Sequence, residues 1–194
     1  VFYALSDYLG EEAFNDILSE YVDSVAFQYP PYTTSEELVG LLKARFPDSL
    51  QYVITDMMET ITLYNNRVTD VSYEELDDGR YEVNMTTTTS KYRTGDRGRR
   101  QYRNESGDSL SVVLEGQKRP VESLPLADYI DIGVFGTDDS GEETILYLER
   151  KKISDIQNKW SIVVDDKPVE VGIDPYNKLI DTNSEDNRQR PTKR

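Results

Sequence analysis

Residues 50–87 read LQYVITDMMETITLYNNRVTDVSYEELDDGRYEVNMTT, and a change of period inside this stretch decides the fold. Leu50, Val53, Ile54, Met57, Met58 and Ile61 stand at i, i+3, i+4, i+7, i+8 and i+11, the apolar stripe of an amphipathic helix. From about Leu63 the period drops from about 3.6 to 2. Thr69, Val71 and Tyr73 alternate with polar residues. Asp77-Asp78-Gly79 then supplies a turn, and Tyr81, Val83, Met85 and Thr87 alternate again. Arg67–Tyr92 is therefore expected to form a β-hairpin. The chain should be helical before this stretch and stranded after it.

Upstream, Phe2, Leu5, Tyr8 and Leu9 have helical spacing, and Gly10 lets the chain leave that helix. Glu11 and Glu12 suit the positive end of the next helix. Phe14, Ile17, Leu18, Tyr21, Val22 and Val25 make one continuous stripe, expected to pack in a core. Pro30-Pro31 makes Gln28–Tyr32 a loop. Thr34 and Glu37 have the spacing of a capping box ahead of a third helix that buries Leu38, Leu41, Leu42 and Phe46. Pro47 ends it, and Asp48 or Ser49 caps the fourth. Met57 and Met58 read as gap-fillers in a core.

Downstream, strands are expected at Leu110–Leu114, Tyr129–Phe135, Thr144–Ile153, Lys159–Val164 and Val169–Gly172, with Trp160 as a core anchor. Polar turns at Gly136–Glu142 and Asp165–Pro168 separate them. Short strands without intervening helices fit an antiparallel sandwich. The expected fold is α+β: about four helices over 1–62, then a β-sandwich of about seven strands over 63–178, then a polar tail over 179–194. Asp181–Arg194 carries almost no apolar residue and reads as a disordered segment or an extended arm.

Acids outnumber bases 37 to 22 in the 194 residues, a net charge of −15. That charge favours solubility and opposes non-specific binding to nucleic acid or an anionic bilayer. No run approaches the roughly 18 apolar residues of a membrane helix. The chain has neither His nor Cys. The usual zinc, copper and non-haem iron sites, and Ser-His-Asp or Cys-His devices, cannot be built from it. No catalytic, cofactor-binding or metal-ligating residue is assigned, and the chain itself is not read as an enzyme.

Three stretches carry rival chemistry. Lys91–Arg103 interleaves Lys91, Arg93, Arg97, Arg99, Arg100 and Arg103 with Tyr92 and Tyr102, a pattern able to bind nucleic acid. The surrounding acidity opposes that, so a solvated hairpin tip or loop is expected and no nucleic-acid partner. Asp138-Asp139 and Asp165-Asp166 are adjacent acids on turns, whereas paired-carboxylate hydrolysis needs two groups held across a cleft. Asp138–Glu143 offers oxygen ligands for calcium without the EF-hand spacing, so a plain turn is expected.

The helix order and the wording of several runs resemble the aminopeptidase N-like (gluzincin) zinc metallopeptidases. Leu9-Gly10-Glu11-Glu12-Ala13-Phe14 is similar to the junction between an apolar helix and an amphipathic one in that family. Thr34-Ser35-Glu36-Glu37-Leu38 resembles the start of its next helix. Pro30-Pro31-Tyr32, Asp48–Tyr52, Glu59–Tyr64, Asp77–Val83, Asp131–Phe135 and Gly172–Asp181 look like a bacterial branch in which the peptidase follows a transporter-permease-type membrane region. The resemblance covers roughly Val1 to Asn187 and is weakest over Lys91–Pro120.

The resemblance implies that 1–62 is the helical end of a catalytic domain and that zinc belongs to the parent protein. The family's H-E-x-x-H, its downstream Glu and its oxyanion Tyr have no counterpart here. The implied role is a non-catalytic C-terminal fragment that braces the catalytic domain and helps close its peptide groove. Its partner would be that upstream domain of the same polypeptide, with a peptide substrate in the parent. The parent would be membrane-associated at the cell envelope, with no direct membrane contact by this part. The chain opens already in helical phase, as the edge of something larger would. Val1, Phe2, Leu5 and Leu9 are therefore expected to expose apolar surface, or to be covered in a homodimer. The alternative is a β-sandwich module that binds a protein or glycan at the envelope.

Overall fold

The computed structural model describes residues 1–95, 100–101, 110–112 and 121–194. The chain divides into two compact units, Val1–Thr62 and Leu63–Arg194. Four helices precede two mostly antiparallel sheets, the α+β fold expected from the change of period.

The first unit contains α1 (Phe2–Leu9), α2 (Glu11–Val25), α3 (Ser35–Arg45) and the one-turn α4 (Gln51–Ile54). Gly10, at φ 99°, separates α1 from α2; its N–H closes α1 on the Ser6 carbonyl at 2.8 Å while its own carbonyl accepts from Phe14. Only glycine adopts that conformation without strain. Leu5, Phe14, Ile17, Leu42, Phe46, Val53 and Ile54 form the core, with Leu18, Leu38, Leu41, Met57 and Met58 packed at its margin. The α2 stripe is buried only through its first half. Val22 is 58% exposed, outside the core that Phe14 and Ile17 enter.

Two details of this unit differ from expectation. Thr34 is the N-cap of α3, yet its side chain makes no capping bond. The neighbouring Thr33 hydroxyl donates to Glu37 instead, at 2.8 Å. The fourth helix stops early as well. After α4 the backbone widens into a π-turn over Thr55–Glu59, closed by the Thr60 N–H and hydroxyl on the Thr55 carbonyl. Ile61 therefore leaves the helical stripe, begins a strand and is 54% exposed.

The second unit is built on the hairpin of β1 (Ile61–Glu75) and β2 (Tyr81–Thr94), longer at both ends than the alternation showed. Gly79 takes φ 86° in its turn. The remaining strands are β3 (Arg100–Gln101), β4 (Leu110–Val112), β5 (Val121–Ser123), β6 (Asp128–Thr137), β7 (Glu143–Ile153), β8 (Gln157–Val164), β9 (Glu170–Ile173), β10 (Arg188–Gln189) and β11 (Thr192–Lys193). One sheet runs β11-β1-β2-β3, with β8 also on β2; the second runs β10-β9-β6-β7, and β4 pairs with β5. The inward residues of β1 and β2, among them Tyr64, Val68, Val83 and Met85, are buried. So are Ile130, Ile132, Val134 and Phe135 of β6 and Val171 and Ile173 of β9.

Trp160 is half-buried rather than a central anchor; its indole N–H donates to the Thr87 hydroxyl at 2.9 Å. Gly133 and Gly172 face each other in register because a side chain at either would meet Phe135, Pro175 or Arg188.

The polar tail takes the extended alternative. β10 adds to β9 and β11 adds, in parallel, to β1. Arg188 holds it by ion pairs to Glu143 and Glu170 and by stacking 4.3 Å from the Phe135 ring. Hydropathy misses such a segment because backbone hydrogen bonds and one arginine, not apolar burial, dock it.

Candidate functional site

The basic stretch, expected to be a solvated hairpin tip or loop, has its described part divided between two environments. Lys91 follows Thr87 and Thr89 on the inward face of β2 and is 7% exposed. Its Nζ lies 2.8 Å from Oδ1 of Asp128, the first residue of β6, itself 1% exposed. Tyr64 of β1 donates its hydroxyl to the same oxygen at 2.7 Å, and the Ala127 N–H donates to Oδ2 at 3.1 Å. Lys91 is thus part of a buried link between the two sheets, not of a solvated tip. Arg100 lies 4.2 Å over the ring of the buried Tyr92. Arg97, Arg99, Tyr102 and Arg103 lie outside the described residues.

A second polar network sits three residues further along β6. Asp131 receives Nε of Arg150 on β7 at 2.9 Å and Nζ of Lys178 at 2.5 Å. Burial pushes the Asp131 carboxyl up, but these two cations outweigh it and hold it below the usual carboxylate range. Asp174 follows β9 at φ 46°, a region aspartate tolerates better than most residues. It accepts backbone N–H groups from Lys178 and Leu179 at 2.9 and 3.0 Å. Burial nevertheless raises it to about 7, with the charges of Asp131 and Asp181 adding to the effect.

That shift fixes a pH response. The folded carboxyl binds its proton more tightly than the unfolded one, so its contribution favours folding at low pH. It declines as pH rises from 3.8 to about 7 and is flat above that. Asp181, also raised by burial, adds in the same direction. Asp131 acts oppositely, its contribution being lost as pH falls below the ordinary aspartate range. Urea titrations of the wild type and of Asp174→Asn from pH 4 to pH 8 should show a less negative slope in the variant. Identical slopes would remove Asp174 as the source.

The acidic turns do local work. Oδ1 of Asp138 accepts from the Ser140 N–H and hydroxyl and from the Glu142 N–H, at 2.7–2.9 Å, and is held low by those bonds. This is an Asx-type turn with Gly141 at φ 86°. Asp165 and Asp166 are exposed on the turn after β8. Among the described residues no group of three acidic side chains is placed to hold a metal ion.

The helical unit carries an open groove. Val1, Phe2 and Tyr3 are 50%, 45% and 64% exposed, while Ala4 and Leu5 are buried. The expectation of exposed apolar surface thus holds at Val1 and Phe2 and fails at Leu5, which is 0% exposed in the core; Leu9 is half-buried. Phe2 and Tyr3 border a groove of about 660 Å³ with Ser6, Gly10, Phe14 and Leu18. Phe2 meets Phe14 edge-to-face, 5.7 Å between centroids. In the loop after α2, which the prolines mark in the sequence, Phe27, Tyr29 and Tyr32 are all exposed, a feature that sequence reasoning did not single out. Three rings within six residues were the available signal.

Among the described residues no helix is long and apolar enough to cross a membrane. No family model matches this chain, and no curated protein matches it.

Proposed function

We propose that this chain is the non-catalytic C-terminal part of a membrane-tethered, aminopeptidase N-like zinc peptidase, where it braces the catalytic domain and helps close its peptide groove. The observation that supports the reading is the two-sided character of α1. Leu5 and Ala4 anchor it to its own unit, while the exposed rings of Phe2 and Tyr3 border an open groove that Asp7, Glu11 and Asn15 also line. A helix apolar on both sides is suited to a second packing partner. Leu9–Phe14, whose wording carries the family resemblance, forms the turn between α1 and α2 beside that groove.

Catalysis would belong to the parent's upstream region. An H-E-x-x-H zinc site needs imidazoles, and this chain has no His. Zinc there would supply an activated water, while this part supplies packing. The chain alone should neither retain stoichiometric zinc after dialysis nor hydrolyse aminoacyl-nitroanilides. The longer parent polypeptide should do both, and Phe2→Ser with Tyr3→Ser should lower its thermal stability. Zinc-dependent turnover by the chain alone would sink the reading.

A further inference from the structure

The loop between α2 and α3 presents three aromatic rings to water: Phe27 is 101% exposed, Tyr29 90% and Tyr32 69%. The backbone beneath them is braced. Gln28 donates to the Pro31 carbonyl at 2.8 Å. The Tyr21 hydroxyl is hydrogen-bonded to the Thr33 hydroxyl at 2.7 Å, and Thr33 reaches Glu37. Phe27 stands at φ 58°, a costly conformation for an aromatic residue. Its own ring, fully in water, makes no packing that offsets the cost. Rigid presentation of large rings lowers the entropy lost when a partner covers them.

Charge selects the partner. Asp23, Glu36 and Glu37 flank the loop in the chain and are exposed. Residues 1–62 carry eleven carboxylates against two bases, Lys43 and Arg45. Both bases are already ion-paired, with Glu59 and Glu20. A second copy, or an anionic bilayer, would bring like charge to this rim. We infer that Phe27, Tyr29 and Tyr32 form a preformed docking surface for a protein whose facing surface is apolar and rimmed by lysine or arginine. The inference goes beyond the peptidase reading and stands independently of zinc or turnover in the parent.

The probe is a short amphipathic helical peptide of leucine and lysine, titrated into the chain while its aromatic resonances are followed. Saturable binding that shifts the Phe27, Tyr29 and Tyr32 rings and weakens with salt is expected. F27S/Y29S/Y32S keeps the net charge and should bind at least about tenfold more weakly. D23N/E36Q/E37Q keeps the rings and should bind more weakly, with a flatter salt dependence. The proposal is overturned by equal binding of the triple serine variant, or of a leucine-glutamate peptide. It is also overturned if the charge variant is unaffected, if sedimentation shows a dimer that the serine variant loses, or if phosphatidylglycerol vesicles bind more tightly than the peptide.

Discussion

Replacing Asp128 by alanine should destabilise the β unit by about 3–5 kcal/mol, the usual consequence of deleting one partner of a buried ion pair. The lysine it faces is 7% exposed, and the carboxylate is 1% exposed. In wild type, Lys91 and Tyr64 from one sheet meet on Oδ1 of a residue from the other. Alanine removes that oxygen and leaves the ammonium in a site built around an anion. The pair itself need not contribute a net gain, because removing two charges from water costs nearly what their attraction returns. The double variant Lys91→Met, Asp128→Leu should therefore recover most of the loss. Both are read by urea unfolding through Trp160, the chain's single tryptophan, which lies on β8 of the same unit. A cost below about 1 kcal/mol for Asp128→Ala would mean that the pair behaves as an exposed one.

The second large effect is expected in the helical unit. Leu42 is 0% exposed in a core of seven fully packed side chains. Truncation to alanine removes three carbons and leaves a cavity, a loss of about 2–5 kcal/mol. A unit of roughly sixty residues buries a smaller fraction of its surface than a larger domain does and has little stability to spare. Leu42→Ala should therefore lose much of its helical circular dichroism near room temperature, while Trp160 fluorescence stays native. Loss of both signals together would show that the β unit depends on the helices. An unchanged spectrum would show that the helical core is better supported than its size implies.

The helices and the main hairpin were legible because apolar burial leaves a period in the sequence. Phe14 with Ile17, Leu42 with Phe46, and Tyr81 through Thr87 carry it plainly. Where hydrogen bonds decide, the period is silent. The π-turn that takes Ile61 out of its helix depends on the Thr60 hydroxyl. The docking of the tail depends on ladder bonds and Arg188. Lys91 illustrates a different failure. It continues the phase of Val83, Met85 and Thr87, but its charge and its arginine neighbours argued for solvent. Asp128, which resolves the conflict, lies 37 positions away. The aromatic loop was recognised as a loop from its prolines, but ring exposure is a property of what fails to cover it, which local pattern does not encode.

The parallel pairing of β11 with β1 has a consequence for biosynthesis. Thr192 reaches Val71, 121 positions earlier in the chain. At about 5–20 residues per second, one edge of β1 waits roughly 6–24 s on the ribosome before its neighbour exists. An open edge of that length is a template for pairing with other chains. Arg67, Asp70, Glu74 and Glu75 are charged and outward along this strand. They make it a poor template during the interval, so the same side chains that face water in the finished sheet also protect the nascent one.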